Sequence, residues 1–266
     1  MIYWRIPPHP LLHEYRNAYD ASKATVASAS PSTKTSLKYT HTDDTRDSAV
    51  TPTRGSYLNS SVELALPPGT AKFAKFDIQA QTHKLLTPIR LDGQPGLIFS
   101  LCYNVGILQP LSMSLSRGSL LASANESRLV DRYHLGGPLA LRGFDLYGAG
   151  PRANYSTGGN VLTKGDSLGA NRKAQILALV SSPLPTRTWL PTMRAIAFAS
   201  AGAASSGEHK SWLFPFGYPR ASIGCGVTGS LGGLARIEVT YSVPLLKAED
   251  DVTKGFQLGI GLSMLQ

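Results

Sequence analysis

Residue types that could do chemistry are most concentrated between positions 131 and 152, where the chain reads Asp-Arg-Tyr-His-Leu-Gly-Gly-Pro-Leu-Ala-Leu-Arg-Gly-Phe-Asp-Leu-Tyr-Gly-Ala-Gly-Pro-Arg. Arg142 is a recognition group, because a guanidinium brings five donors and a permanent charge to an acidic or polar partner. Taken alone it reads as an ordinary surface arginine. The glycines at 136, 137 and 143 could cradle a phosphate, but no Gly-Lys-Ser/Thr follows and the strand–loop–helix setting is missing. His134, beside them, reads as structural.

Other chemistries find less support. Hydrolysis of the Ser–His–acid kind needs a placed nucleophile, and the chain has no Gly-x-Ser-x-Gly elbow to single out one serine. His9 and His13 stand four apart, a ligand spacing on a helix, but Pro7, Pro8 and Pro10 argue against that helix. Cys102 and Cys225 match no zinc or Cys-x-x-Cys spacing and read as small packing residues in strand-like runs. The expectation is a non-enzyme with no catalytic residue, no metal and no cofactor. A formal charge of +9 raises nucleic-acid binding, but the basic residues are scattered without a run or an aromatic-interleaved helix. The excess fits loops and the lining of an aqueous lumen, so no nucleic-acid partner is expected.

The elements that must carry these residues are strands. Charged residues make up 16% of the chain, against about 25% in ordinary globular proteins. The 26 glycines and 18 prolines disfavour helices and suit many strands joined by turns. No stretch approaches the roughly 18 apolar residues of a membrane-spanning helix. Met1 to Pro10 carries an early Arg5 and no apolar core of signal-peptide length. A β-barrel remains compatible with both facts, because its apolar residues alternate.

That alternation is present. Ala74, Phe76, Ile78 and Ala80 interleave with Lys75, Asp77, Gln79 and Gln81; Ala235, Ile237, Val239, Tyr241 and Val243 interleave with Arg236, Glu238, Thr240 and Ser242. Over 255–265, Phe256, Leu258, Ile260, Leu262 and Met264 alternate with Gly255, Gln257, Gly259, Gly261 and Ser263. A period of two is a strand with one apolar and one wet face. Weaker versions near 36–44, 56–65, 96–107, 175–182, 193–202 and 221–229 bring the expected strands to about nine. Several approach the roughly 9–11 residues of membrane-barrel strands, above the five or six usual in water. Residues 1–34 show no sustained period and read as an unplaced or disordered N-terminal segment, with 35–266 as the barrel part. The exception to the even spacing is a long Gly-rich connection from about 108 to 174, a length that is generally functional.

The run Leu135-Gly136-Gly137, Leu141-Arg142-Gly143-Phe144, Gly148-Ala149-Gly150-Pro151 resembles the signature loop of the outer-membrane assembly-factor (bacterial surface antigen) superfamily, which includes bacterial BamA and the central barrel subunit of the mitochondrial sorting and assembly machinery (SAM complex). Further pieces follow in the family's order. Asp44-Thr45-Arg46-Asp47 with Pro52-Thr53-Arg54-Gly55 resembles a hairpin ahead of a long strand. Residues 166–185 resemble the return strand after the loop, and Arg236 to Pro244 the penultimate strand. Gln257-x-Gly259-x-x-Leu262-x-Met264 resembles the β-signal of mitochondrial barrels. The ending Met264-Leu265-Gln266 lacks the terminal aromatic general in bacterial barrels, so the mitochondrial branch fits better than a bacterial or plastid one.

The resemblance implies an all-β antiparallel transmembrane β-barrel, of which this chain is the C-terminal part, with the loop folded into the lumen. It implies insertion and assembly of β-barrel precursors into the outer membrane. Implied partners are outer-membrane lipid, precursor proteins and accessory subunits of an assembly complex. Alternatives are a polypeptide-secretion or translocation pore of the same superfamily and, further off, an outer-membrane hydrolase. In the family an acidic or amide residue on a strand after the loop receives the arginine; here Ser200, in Phe198-Ala199-Ser200-Ala201-Gly202, takes that place. A hydroxyl is the weaker partner, and Glu238, on the polar parity of its strand, is the other candidate. Family members carry about sixteen strands, so nine correspond to the second half.

Overall fold

The computed structural model describes residues 2–3, 33–88, 95–111, 127–153, 165–184, 193–207, 216–231 and 234–262. Ten strands form one sheet in simple chain order. They are β1 (Ile2–Tyr3), β2 (Ser36–Asp44), β3 (Gly55–Ala65), β4 (Phe73–Leu85), β5 (Ile98–Pro110), β6 (Arg172–Pro183), β7 (Arg194–Ser205), β8 (Arg220–Leu231), β9 (Ala235–Leu246) and β10 (Phe256–Leu262). Every neighbouring pair is antiparallel. The nine strands read from alternation are β2 to β10. The two-residue β1 lies in the segment expected to be unplaced, and pairs Ile2 with Tyr39 of β2. No helix among the described residues is long and apolar enough to cross a membrane.

Alternation along each strand separates two faces of opposite character. The outward parity carries exposed apolar side chains, among them Tyr39, Val62, Leu101, Ile223, Tyr241 and Leu258. The inward parity carries buried polar ones, among them His83, Ser100, Ser200, Ser222, Glu238 and Gln257. In water an apolar surface this extensive would be unusual. It suits hydrocarbon, where a sheet shows apolar side chains outward and polar ones to its lumen. Both cysteines are free: Cys225 exposed on the outer face, Cys102 half-buried.

Residues 127–153 fill the inward side. Leu135, Leu141, Phe144 and Ala149 from this loop cluster with Ala170 and with Ala204 of β7. Tyr133 joins Phe73 and Leu108 in a second cluster. Leu177, Leu179, Ile196 and Phe198 of β6 and β7 form a third. The loop therefore occupies the place that a core holds in a water-soluble protein, and the sheet wraps it. In the strand order β1 and β10 are the sheet's two edges.

Candidate functional site

The site is the tip of the lumen loop and the wall that receives it. Gly143 has φ +86°, a conformation costly for residues with a side chain. A Cβ there would also lie 3.1 Å from Ser222 Cβ and 3.3 Å from Ser242 Cβ. The backbone can meet the wall only because this residue is glycine. Arg142 and Phe144 flank the turn, both buried.

Arg142 Nη2 donates to Glu238 Oε2 at 2.6 Å, and both side chains are almost entirely buried. Glu238 also pairs with Arg236, two residues along β9, so one carboxylate serves two guanidiniums. The Arg142 guanidinium stacks 4.8 Å from the centre of the Phe198 ring. Of the two candidate partners, Glu238 holds the guanidinium. Ser200 stands one step away: its hydroxyl bonds Ser222 Oγ at 2.8 Å, and Ser222 Oγ donates to the carbonyl of Arg142. A carboxylate is the stronger partner for a buried guanidinium, and the serine pair satisfies the backbone instead.

The last strand grips the same turn. Gly143 N–H donates to Gln257 Oε1 at 2.9 Å, and Gln257 Nε2 donates to the Phe144 carbonyl at 2.7 Å. Gly259, next on the inward parity of β10, packs against Pro138 and Leu139; a Cβ there would lie 2.9 Å from Leu139 Cδ2. Leu262 ends β10, but its side chain, like all of Met264, lies outside the described residues.

Further along, the loop pairs with the β9–β10 connection. Asp145 N–H donates to the Val252 carbonyl at 2.9 Å, Val252 N–H to the Gly148 carbonyl at 2.9 Å, and Lys254 N–H to the Gly143 carbonyl at 3.0 Å. Asp251 sits fully buried at the end of this ladder, accepting from Arg220 Nε at 2.8 Å and from Ala248 N–H at 2.6 Å. The loop's entry is anchored separately. Tyr133 lies between Lys75 and Lys173, whose ammonium groups stand 4.4 and 4.8 Å from its ring centre, and its hydroxyl donates to the Phe76 carbonyl at 3.2 Å. His134 bonds Ser167 and lies tilted against Tyr147, with ring centres 4.6 Å apart; burial is the main cause that lowers its pKa.

Leu135, Gly136 and Gly137 complete the tip: Ala149 N–H donates to the Leu135 carbonyl at 3.0 Å and Gly137 N–H to the Phe144 carbonyl at 3.1 Å. The hairpin at 44–55 closes on itself. Asp44 accepts from Arg46 Nε and Nη2, both at 2.9 Å, and Asp47 accepts from Thr53 and Arg54. Burial acts to raise the Asp47 pKa, but the hydrogen bonds from Thr53 and Arg54 prevail and hold the carboxyl below its ordinary range. Among the described residues no group of three His, Cys, Asp or Glu side chains is placed to hold a metal ion. His9 and His13 lie outside them. Sequence reasoning missed Asp251, Arg220, Ser222 and the anchoring role of Tyr133. For Ser222 the inward parity of β8 was a usable signal; Asp251 had none.

The Omp85 superfamily domain matches residues 11–264. The chain belongs to the Omp85 superfamily. Among curated Omp85 relatives it is 30% identical over 273 residues to a SAM50-like protein of Schizosaccharomyces pombe, covering 98% of this chain and 50% of that one. It is 29% identical over 256 residues to the sorting and assembly machinery component 50 homolog of Mus musculus, covering 92% and 49%. Among solved structures it is similar to BamA from Haemophilus ducreyi lacking POTRA domains 1–3, with a TM-score of 0.69 at 18% identity, over 91% of this chain and 48% of that one. That likeness shows a BamA-like barrel fold, all-β and antiparallel, as the family resemblance implied. The chain spans about half the length of the curated Omp85 relatives it matches.

Proposed function

We propose that this chain is the C-terminal part of a machine that inserts and assembles β-barrel precursors in the mitochondrial outer membrane. The observation that carries this reading is the clasp of Gln257 on the Gly143–Phe144 turn. It ties the lumen loop to β10, a strand at the edge of the sheet. A strand edge presents unpaired backbone donors and acceptors, and an incoming strand can add to it through main-chain hydrogen bonds. The relatives of Mus musculus and Homo sapiens named as sorting and assembly machinery component 50 homologs support the assembly role and the mitochondrial location.

In this reading Arg142, Gly143 and Phe144 brace the interior while the β10 edge takes part in strand exchange, and Gln257, Gly259, Leu262 and Met264 act as the chain's own β-signal. No bond is made or broken, so the protein is not an enzyme and uses no cofactor. Its partners are membrane lipid, unfolded barrel precursors and accessory subunits. The experiment is depletion of the protein followed by measurement of unrelated barrels, porin above all, in the outer membrane. A fall in assembled porin is expected. Unchanged porin assembly refutes the proposal, and ion conductance without any effect on assembly favours a pore.

A further inference from the structure

Beside the docked tip is a cavity of about 360 Å³, and part of its lining is left unused by loop docking. Arg46, Arg142, Arg194 and Arg236 line it, against the single carboxylate of Glu238. Asp44 pairs with Arg46 and Asp47 lies on the same hairpin, and counting both still leaves one positive charge in excess. Arg194 is buried, and its described hydrogen bonds go to Ser181 Oγ and to the carbonyls of Pro95, Gly96 and Ser181, all neutral. Arg142, 2% exposed, has Nε and Nη1 buried without a hydrogen-bond partner among the described residues. His83, 7% exposed, bonds Ser100 through Nδ1 at 2.8 Å, while its Nε2 is likewise without a described partner.

The Arg142 donors without acceptors are unfavourable, as is an unpartnered ring nitrogen on His83, and a buried excess of one charge is more so. An anion in the cavity answers both at once. Guanidinium forks match the oxygens of a phosphate in geometry and charge, and its negative charge offsets the excess. The volume is larger than a bare phosphate needs and falls in the range of organic-ligand pockets. Leu177, Leu179 and Ile196 give the cavity an apolar wall.

We propose that this cavity binds a phosphate monoester, with the phosphate held by Arg142, Arg194 and His83 and the organic part lying on Leu177 and Ile196. The site shares Arg142 with the docked tip, but its occupancy can be read without any assembly assay.

The test uses the full 266-residue chain folded into micelles of an uncharged detergent, with ionic strength held constant by chloride. Phenyl phosphate is titrated calorimetrically and against the thermal midpoint, beside inorganic phosphate and benzyl alcohol. Saturable binding of phenyl phosphate is expected, about tenfold tighter than inorganic phosphate, with none for benzyl alcohol. Arg194→Gln weakens it by about tenfold or more, whereas Lys84→Gln, on an exposed residue outside the cavity, leaves it unchanged. Should Arg194→Gln fail to fold, His83→Gln gives the same reading with the Arg194 bonds intact. Equal affinity for phosphate and phenyl phosphate overturns the monoester assignment. Lack of saturable binding, or full affinity in the variants that fold, overturns the site.

Discussion

Replacing Glu238 by Gln should damage the docked loop more than replacing Arg142 itself, although the two residues form one ion pair. The asymmetry follows from the shared carboxylate. Glu238 faces both Arg142 and Arg236, so Glu238→Gln leaves two guanidiniums side by side against a neutral amide. Breaking a buried pair so that charge is left uncompensated costs about 3–5 kcal/mol. Arg142→Met leaves Glu238 paired with Arg236 and keeps an apolar contact with Phe198. The loss is then close to one charge-assisted hydrogen bond, about 1.5–3 kcal/mol. In the double variant only Arg236 is stranded, and its side chain is 27% exposed, so water can reach it. The double variant should therefore cost less than the sum of the singles, by about 1–3 kcal/mol. The assay is urea denaturation of the chain folded in uncharged detergent, followed by far-ultraviolet circular dichroism. An Arg142→Met loss equal to or greater than that of Glu238→Gln refutes the shared-carboxylate account.

Asp251→Asn removes the carboxylate from Arg220 in a pair as buried as the first, and a similar loss of about 3–5 kcal/mol is expected. Faster protease cleavage within 143–150, with strand content kept, would show that the β9–β10 connection holds the loop. Asp47 carries a smaller, pH-dependent contribution. Its folded pKa lies below its ordinary value, so the stabilisation is complete above about pH 3.9 and is lost as pH falls through the lowered value. The group is exposed, which limits the effect to roughly 0.5 kcal/mol. Denaturation midpoints compared at pH 6 and at pH 2.5 should differ less for Asp47→Asn than for the parent chain.

Much of the architecture was legible because a strand writes its two environments into alternate residues. The runs at 74–81, 235–243 and 256–262 named their own faces, and the inward parity put Glu238 and Gln257 where the loop could reach them. The weaker runs were legible as strands, although β5, β6 and β7 extend past the expected ends where the alternation fades. The pairing of Arg142 with Glu238 joins residues 96 apart in the chain; parity offered Glu238 as a candidate but could not choose it over Ser200. Arg220 with Asp251 was illegible, because Asp251 lies in a turn that carries no period. The cavity was illegible as well, since Arg194 and His83 come from strands that meet only when the sheet has curved.

The Gln257 clasp also makes the loop a gauge of register. Slipping β10 by one residue against β9 would turn Phe256 or Leu258 inward and bring an apolar side chain to the Gly143–Phe144 turn. Slipping it by two would restore the parity but place Gly255 or Gly259 there, and neither has a side chain to reach the turn. Only one alignment of the final strand supplies an amide that both accepts from Gly143 and donates to Phe144. The buried loop thus measures whether the last strand has been laid down in step, at a point some way from the hydrogen-bonded edge itself.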